Sequence, residues 1–192
     1  MQFYENTYYH LYNRTNNEEK LFRSEENYLY FLKKYRYYLD EYIETVGYCL
    51  MPTHFHFLVR VRENNKESEE RCATLGKCGT SLLISSKIKT LLSSYTKAIN
   101  KRYNRHGSLF QQNTKAKPIA SDSYLITLLT YIHQNPIRSD LVKKAEEWNY
   151  SSYQDYIDLR KGTLPSKEII LSMIKKEGLK EFTEREIVKV AK

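Results

Sequence analysis

Two histidines separated by one residue lie in an apolar stretch of the chain, His54-Phe55-His56-Phe57. Side chains of a β-strand alternate between its two faces, so the pattern predicts both histidines on one face and both phenylalanines on the other. Two imidazoles side by side on an open sheet face can chelate one divalent cation. The alternative is that both are plain surface residues, since a chance His-x-His pair arises in roughly one of eight chains with five histidines.

A second candidate group lies on a predicted helix that begins at Ser121 or Asp122 and that Pro136 ends at or before Asn135. Its core-facing stripe consists of Leu125, Leu128, Leu129 and Ile132. Tyr131 and Asn135 are four residues apart and share a face about 100° from that stripe. An amide oxygen one turn from a phenol can complete a metal site while the phenol addresses a bound phosphate. The alternative is that Tyr131 packs against a neighbour and Asn135 caps the helix end.

The positive charge of the chain is concentrated in one segment. The formal net charge is +8, and the segment 71–121 contains no acidic residue. It contains ten basic residues: Arg71, Lys77, Lys87, Lys89, Lys97, Lys101, Arg102, Arg105, Lys115 and Lys117. A polyanion is the expected partner of such a segment, because neutralised phosphates release counterions. The alternative is a solvated Lys-rich face.

Length and composition exclude several classes of protein. A chain of 192 residues with 41% hydrophobic residues suits one domain with a core of ordinary size. No run approaches the roughly 18 apolar residues of a membrane helix, and the first ten residues lack a secretion signal. The three cysteines form no C-x-x-C pair, which disfavours disulfides and a Cys-type zinc site. We therefore expect a cytoplasmic protein with no membrane partner.

The order of predicted elements defines the fold class. Strands are predicted at 6–14, 44–51 and 54–61, with an extended segment at 108–119, and helices at 25–41, 85–103 and 122–135. The order strand, helix, strand, strand, helix, strand is that of the ferredoxin-like plait. We therefore predict an α+β fold, an antiparallel sheet with helices on one face. A polar loop is expected at 63–80, and two short C-terminal helices at 166–176 and 179–191.

Five sequence blocks resemble a known family. The segment 47–59, GYCLMPTHFHFLV, is similar to the HUH motif of single-tyrosine HUH transposases, and the chain more closely resembles the REP-associated tyrosine transposases. Four further blocks match in order: YHLYNR at 9–14, GSLFQ at 107–111, YIHQNPIR at 131–138 and WNYSSY at 148–153. Two positions depart from the family pattern. Gln111 is not followed by the expected Arg, and Asp140 replaces a small residue.

The resemblance implies a site and an activity. His54 and His56 would bind Mg²⁺ or Mn²⁺, Asn135 would be a further ligand, and Tyr131 would be the nucleophile. The implied reaction is metal-dependent cleavage and strand transfer of single-stranded DNA that carries a recognition hairpin. It would proceed through a 5′-phosphotyrosine intermediate and release a 3′-OH. Such a linkage conserves the bond energy, so a second strand end can reverse the step.

The resemblance also implies an organisation and a set of partners. Residues 1–160 would form the catalytic domain, and 161–192 a C-terminal helical extension of unknown role. Relatives act as monomers or as homodimers, so both states remain open, and no small-molecule organic cofactor is expected. The protein would associate with the nucleoid. The basic residues expected to contact DNA are Arg14, Lys97, Lys101, Arg102, Arg105, Lys115, Lys117 and Arg138.

Two rival functions are compatible with the fold class. A non-catalytic single-stranded nucleic-acid-binding plait would carry a Lys/Arg-Gly-Phe/Tyr pattern on a central strand, and the strand with His-Phe-His-Phe lacks it. A metal-dependent phosphohydrolase would place more carboxylates near its ion. The sequence therefore favours a strand-cleaving and strand-joining enzyme.

Overall fold

A computed structural model describes residues 1–63 and 79–185. The first part of the chain forms seven elements in the order β1 (Tyr8–Arg14), α1 (Glu25–Leu39), β2 (Ile43–Met51), β3 (His54–Val61), α2 (Thr80–Arg102), β4 (Lys115–Pro118) and α3 (Asp122–Arg138). A 3₁₀ turn at Ala145–Glu147 follows, and then three helices, α4 (Tyr153–Tyr156), α5 (Glu168–Leu171) and α6 (Lys176–Arg185). The basic residues Arg71 and Lys77 and most of the predicted loop 63–80 lie outside the described residues, as does the end of the last predicted helix.

Within the described residues the strands form one sheet in the order β2-β3-β1-β4, with each neighbouring pair antiparallel. This order confirms the predicted ferredoxin-like plait. The register pairs Arg14 with His54 and Tyr12 with His56. Residues directly opposite each other in an antiparallel pair share a face, so β1 and β3 each contribute to one surface. That surface carries the histidines.

The other surface of the sheet forms the larger core. Phe55 and Phe57 alternate with the histidines and are fully buried beneath α1 and α2. The ring of Tyr35 on α1 stacks on Phe57 with a centroid distance of 4.0 Å, and Phe31 lies 5.3 Å from Phe55. Burial of such aromatic side chains is the main favourable term that holds the helices to the sheet. This face is the one on which the prediction placed the plait helices.

Helix α3 packs on the histidine face and covers its β2 side. Its predicted apolar stripe is buried together with Cys49, Met51 and Leu58, which alternate with the residues of the larger core. Gly47 on β2 permits this close approach, because a Cβ there would lie 2.2 Å from Leu129 Cδ1. Ile170 of α5 and Leu179 of α6 are buried in the same cluster. The C-terminal helices therefore pack against the helix that carries Tyr131.

The structure corrects the predicted end of this helix. Pro136 lies inside α3, which continues to Arg138. A proline removes the hydrogen bond that its N–H would donate four residues back, in this case to the Ile132 carbonyl. The Asn135 side chain replaces part of this bonding, because Nδ2 donates to the Tyr131 carbonyl at 2.9 Å and to the Ile132 carbonyl at 3.4 Å. The Ser139 N–H then donates to the Asn135 carbonyl at 3.1 Å.

Other boundaries also differ from the predictions. Helix α2 begins at Thr80 rather than near residue 85, and the extended segment at 108–119 pairs as a strand over 115–118. The predicted helix at 166–176 is a short one at Glu168–Leu171, and the next helix begins at Lys176. No helix of the described residues is long and apolar enough to cross a membrane.

Candidate active site

His54 and His56 lie on one face of β3, as their spacing predicted. Their ring centroids are 5.1 Å apart, and the ring planes are at 83° to each other. The face is less open than expected, because α3 packs beside it and leaves His56 only 8% exposed. His54 is half-buried at the end of the strand, where Nδ1 lies 3.1 Å from Thr53 Oγ1. The expectation of two solvent-facing imidazoles was therefore wrong for His56.

A third histidine, which the sequence analysis did not select, joins this pair. His10 of β1 is also 8% exposed, and its Nε2 lies 2.8 Å from His56 Nδ1. The two rings stack with a centroid distance of 5.0 Å. Strand alternation alone places His10 on the same face of β1 as Tyr12 and Arg14. The missing information was the pairing of β1 with β3, which brings together residues 46 positions apart.

Burial keeps all three imidazoles neutral near pH 7. Desolvation, and secondarily the charge of Lys117, lowers the pKa of His10 to about 4. Desolvation also lowers the pKa of His54, with a smaller contribution from Arg14. The pKa of His56 is well below its ordinary value, first because of burial and then because of His10 and His54. A neutral imidazole offers a lone pair, and this is the form that binds a metal ion.

Tyr131 lies against the histidines, at the edge of the part of the histidine face that α3 covers. Its ring centroid is 5.9 Å from that of His56, with the planes at 80°. The guanidinium carbon of Arg138 is 5.3 Å from the Tyr131 ring centroid, so a cation lies beside the phenol. Tyr131 is half-buried, as its position beside the core-facing stripe of α3 allows. Tyr124 lies seven residues, or about two turns, before Tyr131, in the first turn of α3, where its N–H donates to Ser121 Oγ at 3.3 Å.

Asn135 follows Tyr131 by one helical turn and is 6% exposed. Its Nδ2 donates to the helix backbone, so the amide oxygen is the atom that remains for a metal ion. Imidazole nitrogens and an amide oxygen fit a divalent cation. Within the described residues no group of three or more His, Cys, Asp or Glu residues could hold a metal by itself. An ion held by the two imidazoles and this amide oxygen would have positions left for substrate phosphate oxygens and water.

Comparisons with known proteins bear on the family and the fold of the chain. No family model matches the chain. A protein of Haemophilus influenzae that is named as a REP-associated tyrosine transposase is 27% identical over 124 residues, which are 64% of this chain. A solved structure of a REP-associated tyrosine transposase bound to a REP hairpin matches with a TM-score of 0.59 and 18% identity, over 82% of each chain. The resemblance to REP-associated tyrosine transposases is confirmed.

The two comparisons cover different shares of the relatives. The aligned region spans 66% of the Haemophilus transposase, a little under two thirds of its length. The structural match shows that the chain has the fold of the solved REP-associated tyrosine transposase.

Some of the basic residues that the transposase resemblance assigned to DNA lie on the histidine face. In the sheet register Lys115 is opposite Tyr12, Lys117 is opposite His10, and Arg14 is opposite His54. All three cations are exposed, and they lie on the half of the face that α3 leaves uncovered. Arg14 and His54 also line a polar cavity of about 510 Å³, together with Thr53 and Gln111.

Other residues of the basic segment 71–121, here called the basic block, lie on the side of the sheet opposite the histidines. Lys97 and Lys101 are exposed on α2, which packs on the surface opposite the histidines. Arg102 pairs with Glu26, and Arg105 pairs with Glu19 at 2.9 Å. The structure therefore divides the basic block between two faces, although it is continuous along the chain.

Proposed function

We propose that the protein is a metal-dependent transposase-like enzyme that cleaves and rejoins single-stranded DNA beside a hairpin, with Tyr131 as the nucleophile. The observation that carries the proposal is the contact of Tyr131 with His56, on a face that also holds His54 and His10. The REP hairpin bound to the structurally similar transposase supports a hairpin as the partner.

The proposed reaction is a transesterification. The Tyr131 oxygen attacks the scissile phosphorus, and the bond from phosphorus to the 3′ oxygen of the preceding nucleotide breaks. The phenol gives up its proton, and the leaving oxygen takes one up and becomes a 3′-OH. The fragment on the 3′ side of the cut stays linked to Tyr131 through its 5′ phosphate, as a phosphodiester, so attack by another 3′-OH rejoins the DNA without an external energy source.

His54, His56 and the Asn135 amide oxygen are the proposed ligands of Mg²⁺ or Mn²⁺. The ion would offset negative charge on the scissile phosphate and hold it for in-line attack. The proposed role of Arg138 follows from its charge and its position. Arg138 places a cation beside the phenol, where it can attract the phosphate that Tyr131 attacks.

The uncovered half of the histidine face is the proposed path of the single strand. Arg14, Lys115 and Lys117 provide cations for backbone phosphates. Tyr12 lies between them, with its ring centroid 4.6 Å from that of His10. Aromatic rings flanked by basic side chains are typical of surfaces that bind unpaired bases. An enzyme of this kind would act in the cytoplasm, on chromosomal DNA.

A covalent-trapping experiment tests the proposed nucleophile. The protein is incubated with hairpin-bearing single-stranded DNA and Mn²⁺, and adducts that resist denaturation are separated on a denaturing gel. We expect an adduct with the unaltered protein and with Tyr124→Phe, and none with Tyr131→Phe. DNA binding by Tyr131→Phe should persist, because the phenol oxygen serves the chemical step. Peptide mapping that locates the phosphotyrosine at another tyrosine would refute the assignment, and no adduct with any protein would favour a binding domain.

A further inference from the structure

We propose that His10 is a positioning residue that holds His56 in the tautomer whose Nε2 lone pair is available to a metal ion. The inference rests on the proposed function, in which His56 is a ligand. It assigns a role to a residue that lies 46 positions earlier in the chain and would not itself bind the ion. The juxtaposition that carries it is the hydrogen bond from one imidazole to the other across β1 and β3.

The contact between the two rings is close and shielded from water. His10 Nε2 and His56 Nδ1 are 2.8 Å apart, within ordinary hydrogen-bond distance, and each residue is 8% exposed. Tyr12 covers the pair, with its ring centroid 4.6 Å from that of His10 and 5.8 Å from that of His56. The arrangement is therefore specified by packing as well as by the hydrogen bond.

The position of one proton decides what His56 can do. If His56 Nδ1 carries the proton and donates a hydrogen bond to His10 Nε2, then His56 Nε2 has a lone pair. If His10 Nε2 carries the proton, His56 Nδ1 accepts, and a neutral His56 ring must carry its own proton on Nε2, where it cannot bind a metal ion. The ligand role therefore requires His10 to act as the acceptor.

His54 shows the same arrangement through a different partner. Its Nδ1 lies 3.1 Å from Thr53 Oγ1, an atom that can also accept a hydrogen bond from a ring N–H. Each of the two proposed ligands thus has an acceptor beside its Nδ1, and a ring that donates there keeps the Nε2 lone pair for the ion. A partner of this kind orients a ligating imidazole and raises its basicity, and its removal typically lowers metal affinity about 10- to 100-fold.

Two variants of the full chain separate this role from simple packing. His10→Leu fills similar space but removes the acceptor, whereas His10→Gln retains an amide oxygen that can accept from His56 Nδ1. By titration calorimetry with Mn²⁺ and no DNA, we expect about 10- to 100-fold weaker binding for His10→Leu. We expect His10→Gln to stay within a few-fold of the unaltered protein. Equal affinities of all three proteins would overturn the proposal.

A second measurement needs no variant and no metal. Long-range ¹H–¹⁵N correlation spectra of the ¹⁵N-labelled protein report which nitrogen of each imidazole carries the proton. We expect His56 in the Nδ1–H form, and an Nε2–H form would overturn the proposal even if His10→Leu failed to fold. If the unaltered protein bound no Mn²⁺ while His56 was in the Nδ1–H form, the metal-dependent function would fail and the orienting contact would stand.

Discussion

Neutralising Lys115 and Lys117 together tests whether a single strand follows the histidine face. Both lysines are exposed on β4, opposite Tyr12 and His10. If each one neutralises a phosphate, the slope of log K against log salt should change by about 0.7 per lysine, or about 1.4 for the pair. In 0.1 M salt this loss of counterion release corresponds to about 25-fold weaker binding, or about 2 kcal/mol.

The assay is fluorescence anisotropy of a labelled oligonucleotide without a hairpin, at several salt concentrations. Lys115→Gln with Lys117→Gln is compared with the matched pair Lys97→Gln with Lys101→Gln, which removes the same charge from α2 behind the sheet. We expect the β4 pair to flatten the salt dependence and the α2 pair to leave it unchanged. An equal or larger effect of the α2 pair would refute the proposed path of the strand.

Two further predictions concern stability. Asp155 is fully buried and accepts from Arg160 Nε at 2.8 Å and Nη2 at 2.7 Å, so Asp155→Asn should lower the free energy of unfolding by about 3 to 5 kcal/mol. The same change at the exposed Asp158, whose Oδ2 is 2.8 Å from Lys176 Nζ, should cost much less because solvent screens that pair, and equal costs in urea unfolding would contradict this reasoning. Burial lowers the pKa of His133 to about 3, so the unfolded chain takes up a proton below pH about 6.5 and the folded chain does not until about pH 3. The free energy of unfolding should therefore decrease as the pH is lowered through this window, by about 2 kcal/mol from this residue between pH 6.5 and 5. The variant His133→Gln should lose less over the same range, and an equal loss in both proteins would contradict the pKa reasoning.

Local patterns determined much of the fold and part of the site. Strand alternation placed His54 and His56 on one face because the side-chain period of a strand does not depend on its neighbours. Helical spacing likewise identified the leucine stripe of α3 and placed Tyr131 and Asn135 on one side of it. The order of elements was sufficient for the ferredoxin-like plait, because few topologies join these strands and helices without crossing connections.

The tertiary structure alone decided which of these residues meet. His10 joins His56 through a strand pairing, and strand register depends on contacts between residues far apart in sequence. The burial of His56 and its lowered pKa follow from the residues that the tertiary structure packs around it, Tyr131 of α3 and His10 and Tyr12 of β1, which no local pattern specifies. The basic block is continuous in sequence, yet β4 and α2 present its charges on opposite surfaces of the sheet. Charge is counted along the chain, but a polyanion meets only those charges that the fold places on one surface.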